Sequence, residues 1–262
     1  MASPVVGAVS ETIISTDSNS WTVNRPAGVS GRLTIAIAGH DGNGITMTWP
    51  TGYTQFFAQD NTGGVLGVKG AYHLEDGTEG TTFILGLSAA EKGACIVYQV
   101  SGAETPATQV PEATTASAGA TLDPDCPAIT PTGGSKDYLF IAGVCTNGEE
   151  ADDDTWGNTS PTNYSPSPPR QKTSGIAGTP TTNCCLETAE RALTAATEDP
   201  GIFNNDQSLA YASFTIAVHP AGGAIPSASG VGRVHARGTA SGSKIGLGLA
   251  IGRAGIRGTA TG

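Results

Sequence analysis

The sequence predicts an all-β protein: an antiparallel, jelly-roll-like β-sandwich built from two degenerate half-repeats, followed by a glycine-rich C-terminal arm. Short apolar runs rich in β-branched residues end at glycine-containing turns, as buried strands do where they meet surface loops. Two of these runs, LTIAIAGHDG at 33–42 and LFIAGVCTNG at 139–148, begin 106 positions apart and are followed by similar material. Charged residues are only 14% of the chain and 37 of its 262 residues are glycine, which favours strands and turns over helices.

The first half-repeat, about residues 20–104, is predicted to hold a series of short strands. After the core strand at 33–42, the run ITMTW at 45–49 alternates apolar and polar residues, as a half-buried strand does. A Pro-x-Gly turn at 50–52 then leads into the next strand. Further strands are expected at 53–57, 67–74, 81–87 and 94–100.

The second half-repeat, about residues 121–219, is predicted to follow the same order. Residues 101–135 are rich in Pro, Thr, Ala and Ser and are expected to link the halves with at most one or two edge strands. A core strand at 138–145 precedes a long polar loop from Glu149 to Pro169. The runs 182–189 and 209–219 take the places of 68–75 and 94–100, so two similar sheets would face each other across one core.

The arm, residues 224–262, is predicted to be a separate segment. GVGRVHARGTASG at 230–242 recurs as AIGRAGIRGTATG at 250–262, a period of 20 residues. Two copies of a glycine-rich unit cannot bury a core, so the arm would become ordered only against partners. The competing interpretation is a flexible linker.

The charge is divided between these two segments. The formal net charge is −10, but the arm contains five basic residues and no Asp or Glu, which leaves 8 − 23 = −15 for residues 1–223. A basic arm on an acidic body suggests docking onto an acidic surface such as a neighbouring copy; alternatively, the arginines only solubilise the segment. The acidic body argues against binding of nucleic acid. The basic residues of the predicted assembly arm are Arg233, Arg237, Lys244, Arg253 and Arg257.

The cysteines and the search for targeting signals indicate little about the function. The five cysteines show no repeated spacing and are predicted to be buried free thiols, although a disulfide from Cys126 to Cys184 or Cys185 is left open. No apolar run is long enough for a membrane-spanning helix. The first 15 residues lack the basic and apolar regions of a signal peptide, so a protein made inside the cell, or one exported without a cleaved signal, is expected.

No catalytic or cofactor-binding constellation is predicted. The chain contains no G-x-S-x-G, and its four histidines are scattered. His40 stands beside Asp41 at a loop, where a base could act, but no nucleophile accompanies the pair. The glycine-rich runs 238–244 and 246–252 lack the spacing of phosphate-binding loops.

The long loop of the second half is the predicted binding loop. Its carboxylates could bind Ca²⁺, but the spacing differs from known calcium loops, and a solvated acidic loop is favoured over a metal site. Aromatic side chains in the same loop could stack on sugars, whereas Trp21 and Trp49 are expected in the core. The residues of this loop are Glu149, Glu150, Asp152, Asp153, Asp154, Trp156 and Tyr164.

The run PAGVSGRLTIAIAGHDGNG…TWPTGYTQF…AYHLEDG…CIVYQVSGA at 26–103 resembles structural proteins of tailed-bacteriophage particles, and the GTASG and GTATG repeats are similar to those of phage tail and fibre-like proteins. Tyr53 stands where Trp is commoner in the pattern. The resemblance implies a β-sandwich virion component without catalytic residues.

The predicted function is therefore that of a non-enzymatic structural component of a phage particle, either fibre-like or decorating the capsid or tail surface. It implies a location in the virion after synthesis in the host cytoplasm, a homo-oligomer, and contacts with other virion proteins. No cofactor is implied. The alternative is a carbohydrate-binding module that attaches to a glycan on the host or another cell surface; a glycosidase is a third hypothesis.

Overall fold

The computed structural model describes residues 3–147, 159–175, 183–204 and 208–222. Throughout these ranges the chain is all-β and contains no helix, in two large antiparallel sheets and a small ribbon, which confirms the predicted β-sandwich class. The chain divides into two units, residues 1–223 and 224–262. The arm and its 20-residue repeat lie outside the described residues.

The first half of the chain forms one sheet. Its strands run in the order β1-β6-β2-β5-β4, and the short β3 pairs with β6. The strands are β1 (Val5–Asn24), β2 (Leu33–Asp41), β3 (Met47–Thr48), β4 (Thr54–Asp60), β5 (Leu66–Leu74) and β6 (Thr82–Ser101).

The second half forms the other large sheet. Its order is β10-β11-β9-β13-β7, and β8 pairs with β12 in a separate two-stranded ribbon. The strands are β7 (Glu112–Thr121), β8 (Asp125–Cys126), β9 (Lys136–Thr146), β10 (Ser165–Thr173), β11 (Cys185–Ala195), β12 (Gly201–Ile202) and β13 (Leu209–Val218).

The half-repeat extends to the hydrogen-bond register. In the first sheet Leu33 of the central strand pairs with Leu74 on one side and Val100 on the other. In the second sheet Leu139 pairs with Ala192 and Val218 at the equivalent positions. The chain therefore completes one sheet before it begins the other, and both sheets have the same strand order.

The sandwich contains three apolar clusters rather than one. The central cluster lies between the sheets and takes alternate residues of each strand, such as Ile35 and Ile37 of β2 and Ile141 of β9. A second cluster, around Trp21, covers the outer face of the first sheet. A third, around Phe203, covers the outer face of the second sheet. Both faces of each sheet are therefore packed, which explains why β2 is buried along its whole length.

One strand replaces two predicted strands in the first half. The runs predicted at 81–87 and 94–100 belong to the single 20-residue strand β6, which pairs with the equally long β1. Register shifts between Ile14 and Ser20 let this pair bend, so its far end packs over the outer face of the sheet. There the ring of Trp21 lies over Gly93, where a Cβ atom would overlap it. Trp21 is a core residue, as predicted.

The predicted polar loop from Glu149 to Pro169 ends earlier than expected. β10 begins at Ser165 and includes three prolines, Pro166, Pro168 and Pro169. β10 pairs only with β11, and an edge strand tolerates proline because one side of its backbone has no ladder to complete.

All five cysteines are buried free thiols, as predicted. Cys126 belongs to the outer cluster of the second sheet, whereas Cys184 and Cys145 belong to the central cluster. The disulfide left open from Cys126 to Cys184 or Cys185 is therefore not formed. Cys126 and Cys184 moreover belong to clusters on opposite sides of the second sheet.

Candidate functional site: a cleft on the outer face of the first sheet

A cleft of about 400 Å³ opens on the outer face of the first sheet. One wall is the segment 44–47, which follows β2, and the floor and opposite wall come from β4 and β5. We call it the outer-face cleft. Its lining residues are Gly44, Ile45, Thr46, Met47, Gln55, Ala58, Asp60 and Lys69.

Two glycines bring the 44–47 wall back over the sheet. Gly42 and Gly44 have φ values of 107° and 64°, a backbone conformation that favours glycine. The Gly42 N–H donates to the Val65 carbonyl over 3.0 Å and so joins this loop to the β4–β5 hairpin. Thr46 is held from the other side, where its N–H donates to Ser88 Oγ over 3.0 Å. The wall is therefore anchored at both ends.

An ion pair forms the charged end of the cleft. Lys69 Nζ lies 3.1 Å from Asp60 Oδ1, on neighbouring strands of the hairpin. The Lys69 side chain is 6% exposed and that of Asp60 is 37% exposed, so the carboxylate meets solvent while the ammonium group is largely covered. The two charges cancel, which leaves the cleft lining without net charge.

His40 lies behind this ion pair and is completely buried. Its Nε2 is 3.9 Å from Asp60 Oδ1 and has no hydrogen-bond partner among the residues that the structure describes. Its Nδ1 is 3.2 Å from the Asp41 carbonyl oxygen, which can only accept, so the proton sits on Nδ1 and Nε2 is an acceptor. Burial and, to a smaller extent, the Lys69 charge lower the pKa of His40 to about 4, so the ring is neutral near pH 7.

An aromatic row borders the cleft. The Trp49 indole N–H donates to Gln55 Oε1 over 2.9 Å, and Gln55 lines the cleft. The Trp49 and Tyr53 rings are nearly parallel, with centroids 6.2 Å apart, and Tyr53 stacks on His73 at 4.9 Å. All three rings are partly exposed. Trp49 also packs against the outer cluster of the first sheet, so it is half core residue and half surface residue.

A buried salt bridge holds the aromatic row in place. Arg25 Nη2 lies 2.7 Å from Glu75 Oε1, and both side chains are almost fully buried. Arg25 Nη1 donates to the Tyr53 hydroxyl over 3.0 Å. Thr34 Oγ1 and Gln99 Nε2 donate to the Glu75 carboxylate, which satisfies its remaining acceptor sites. Tyr53 is thus fixed by a fully bonded network.

The same place in the second sheet is also polar. Lys69 pairs with Ala38 in the first sheet, and Glu187 pairs with Val144 at the equivalent position of the second sheet. Glu187 is completely buried. The two halves therefore place a lysine and a glutamic acid at one structural position, and their side-chain chemistry differs there.

The residues predicted from the sequence fall mostly elsewhere. Trp156, the five carboxylates of the predicted binding loop and the five basic residues of the arm lie outside the described residues. Tyr164 is described and does not suit a role in binding, because it is 5% exposed and its hydroxyl donates to Glu198 Oε1 over 3.2 Å. Its ring belongs to the outer cluster of the second sheet.

The neighbouring His40 and Asp41 do not form an acid–base pair at a loop mouth. His40 is enclosed, and burial raises the pKa of Asp41 to about 6, an effect to which the Asp17 charge adds. Among the described residues, no three or more His, Cys, Asp or Glu side chains are grouped to hold a metal ion. No helix in that part of the chain is long and apolar enough to cross a membrane.

The sequence contains one usable signal for the cleft. The turn DNTGG at 60–64 lies between two predicted strands, and a hairpin there places Asp60 opposite the start of the next strand. The position of the 44–47 wall has no such signal, because it depends on bonds to the distant Val65 and Ser88.

The chain was also compared with known proteins. No protein-family model matches it, and neither does any curated protein or solved structure. Its function therefore has to be argued from its own residues.

Proposed function

We propose that the chain is a non-enzymatic structural component of a phage particle, fibre-like or decorating the capsid or tail surface, in which a rigid sandwich carries an arm for self-association or attachment. The observation that carries the proposal is the division of charge, −15 for residues 1–223 and +5 for the arm. The partners are copies of the same chain or other virion proteins, and the location is the virion.

Polar contacts between the two sheets of residues 1–223 support the proposed structural role. Tyr98 of the first sheet donates to Thr188 of the second over 2.6 Å inside the sandwich, and Arg170 pairs with Glu190 beside them at 2.6 Å. At the outer strands β4 and β7, Thr115 Oγ1 donates to Gln59 Oε1 over 2.9 Å. Specific polar contacts therefore tie the two sheets together both inside the sandwich and at one edge.

The surface of the body offers acceptors for a basic arm. Its exposed carboxylates are distributed over both halves, and guanidinium groups bind carboxylates through charge-assisted hydrogen bonds. Such contacts between exposed groups weaken as salt rises. Exposed examples are Asp17, Asp76, Asp123 and Asp199.

Sedimentation velocity of the full chain tests the role of the arm. We expect association at low salt that falls as NaCl is raised, and loss of association when the chain ends at residue 223 or when the arm's five basic residues become Gln. A matched control replaces the arm's four arginines with Lys, keeps the charge and should keep most of the association. Equal sedimentation of the full and truncated chains would contradict the proposal.

The virion location has its own test. An antibody raised against residues 1–223 should label intact, purified particles in electron microscopy. Protein found only in the lysate and never in washed particles would remove the virion assignment, whatever the arm does.

A further inference from the structure

We propose that the outer-face cleft binds an uncharged sugar residue of a glycan. This assignment is independent of the structural role proposed above and concerns a different part of the chain from the loop at 149–164. It follows from the charge, the hydrogen-bonding groups and the shape of the cleft.

The cleft lining favours a ligand without charge. Among the described residues that line it, the two charged ones, Asp60 and Lys69, neutralise each other over 3.1 Å. An anion would compete with Asp60 for Lys69, and a cation would compete with Lys69 for Asp60, so either would have to break an existing pair. A neutral ligand can use the outward lone pairs of Asp60 and leave the pair intact.

The polar groups of the cleft match hydroxyls, which both donate and accept. The Gln55 side chain is exposed, and its Oε1 accepts the Trp49 indole N–H. Its NH2 group has no bond to a described residue and can therefore donate to a ligand. Asp60 accepts, and the exposed Thr46 hydroxyl does either. A ligand with several adjacent hydroxyls satisfies this mixed set better than a ligand with donors or acceptors alone.

The apolar part of the cleft complements the carbon faces of a sugar ring. Ile45, Met47 and Ala58 contribute to the lining, and the half-buried Met47 can adapt its side chain to a neighbour. The volume of about 400 Å³ is at the small end of the range of small-molecule sites. The cleft therefore suits one or two rings rather than a long chain.

His40 supplies a second, independent indication of a ligand or bound water. Its Nε2 is a buried acceptor that no described residue bonds, 3.9 Å from Asp60 Oδ1. A water molecule within hydrogen-bonding distance of both atoms can donate one O–H to each, whereas a sugar hydroxyl has one O–H and can donate to only one of them. A sugar hydroxyl, or a water that relays to it, would satisfy an acceptor that is otherwise costly to bury.

Trp49 extends the site beyond the cleft. Its indole ring is partly exposed, bonded to Gln55 and backed by Tyr53, which the buried Arg25 holds. A rigid, partly exposed aromatic face is a platform for the C–H face of a second sugar ring. The cleft and Trp49 together would bind a disaccharide at the end or along the side of a glycan.

A glycan array with the full chain tests the proposal. The probes are oligosaccharides of neutral hexoses and N-acetylhexosamines, with sialylated and sulfated oligosaccharides as charged comparators. We expect binding to a subset of the neutral probes, and affinity reduced about tenfold or more in Gln55→Ala and in Asp60→Asn, since each removes bonds to the ligand. Gln109→Ala, a glutamine outside the cleft, should bind like the native chain.

Folding of each variant is checked by urea denaturation, and the exposed position of Gln55 makes Gln55→Ala the decisive variant if Asp60→Asn loses stability. Three results would overturn the proposal: no neutral probe bound, stronger binding to charged than to neutral probes, or native affinity in Gln55→Ala. Loss of binding in Trp156→Ala with unchanged binding in Gln55→Ala would place recognition in the 149–164 loop instead.

Discussion

Phe57 and Phe214 stack on each other in the central cluster between the sheets, with ring centroids 5.1 Å apart and an interplanar angle of 27°. Phe57 comes from β4 of the first sheet and Phe214 from β13 of the second. Each ring lies over a glycine of the next strand, Gly70 for Phe57 and Gly143 for Phe214, where a Cβ atom would overlap the ring. Two glycines thus make room for an aromatic contact between the halves.

Truncation of either ring of this pair should lower the stability of the fold. We expect Phe214→Ala to lower the free energy of unfolding by about 3–5 kcal/mol, because it leaves a cavity in a closely packed core. Gly143→Ala alone should also destabilise. The double variant should lose less than the sum of the two single losses, since the clashing ring is then absent. Urea denaturation measures all three, and strict additivity would contradict the proposed packing.

Breaking the buried Arg25–Glu75 ion pair should cost more stability than breaking an ion pair at the surface. We expect Glu75→Gln to destabilise by about 3–5 kcal/mol, because it leaves the Arg25 charge uncompensated in a buried site. The control is Glu11→Gln, which breaks the partly exposed contact with Lys172 at 3.1 Å and should cost less than about 1 kcal/mol. Chemical denaturation of both variants checks this, and equal losses would show that the Arg25 site is solvated.

Asp41 should make the protein less stable as pH rises. Burial raises the pKa of this carboxyl from its ordinary 3.8 to about 6, and the charge of Asp17 acts in the same direction. The folded chain therefore holds the proton more tightly than the unfolded chain. The resulting stabilisation is complete below about pH 4 and is lost as pH rises to about 6.

Asp41→Asn tests this. Asn can still accept the Lys92 N–H through Oδ1, as Asp41 does at 2.7 Å, and carries no charge. We expect the variant to be more stable than the native chain by about 1–2 kcal/mol at pH 7, with little difference at pH 4. Urea titrations at several pH values give the comparison. A pH-independent difference would mean that Asp41 does not titrate as inferred.

The two halves should reassemble from separate fragments. Every strand ladder of the large sheets lies within one half of the chain. The two halves are linked through the turn near Thr105. We expect fragments 1–107 and 108–262 to be unfolded or aggregated alone, because each isolated sheet exposes its inner face. Mixed, they should form a 1:1 complex with the native circular dichroism spectrum. Stable homodimers of either fragment on size-exclusion chromatography would contradict specific pairing of the two inner faces.

Much of the fold could be predicted from the sequence, because hydrophobic patterning acts locally. The spacing between Leu33 and Leu139 predicted the two equivalent central strands, and the structure shows the same partners in the same register around both. The pattern could not show that 81–87 and 94–100 belong to one strand. That depends on β1, which pairs along the full length of β6 and keeps the intervening polar residues in the ladder.

Much less of the candidate site could be predicted from the sequence. Asp60 and Lys69 lie on a hairpin that turn residues predict, but their significance comes from the 44–47 wall and from His40, which other strands place beside them. The sequence instead pointed to Tyr164, since its loop is rich in polar residues. The fold instead packs that ring into the outer cluster of the second sheet, where the Glu198 carboxylate accepts a hydrogen bond from its hydroxyl.

By itself, the sequence determined the all-β class, the two related halves and the charge division between body and arm. These features follow from residue spacing and composition, which act through neighbours along the chain. Only the tertiary structure decided which polar groups share a cleft, which are sealed inside, and that Phe57 meets Phe214 across the sandwich. Those choices depend on pairing between distant strands, and a register is fixed where a face of the sheet is buried, because a one-residue slip would turn its apolar side chains to the other face.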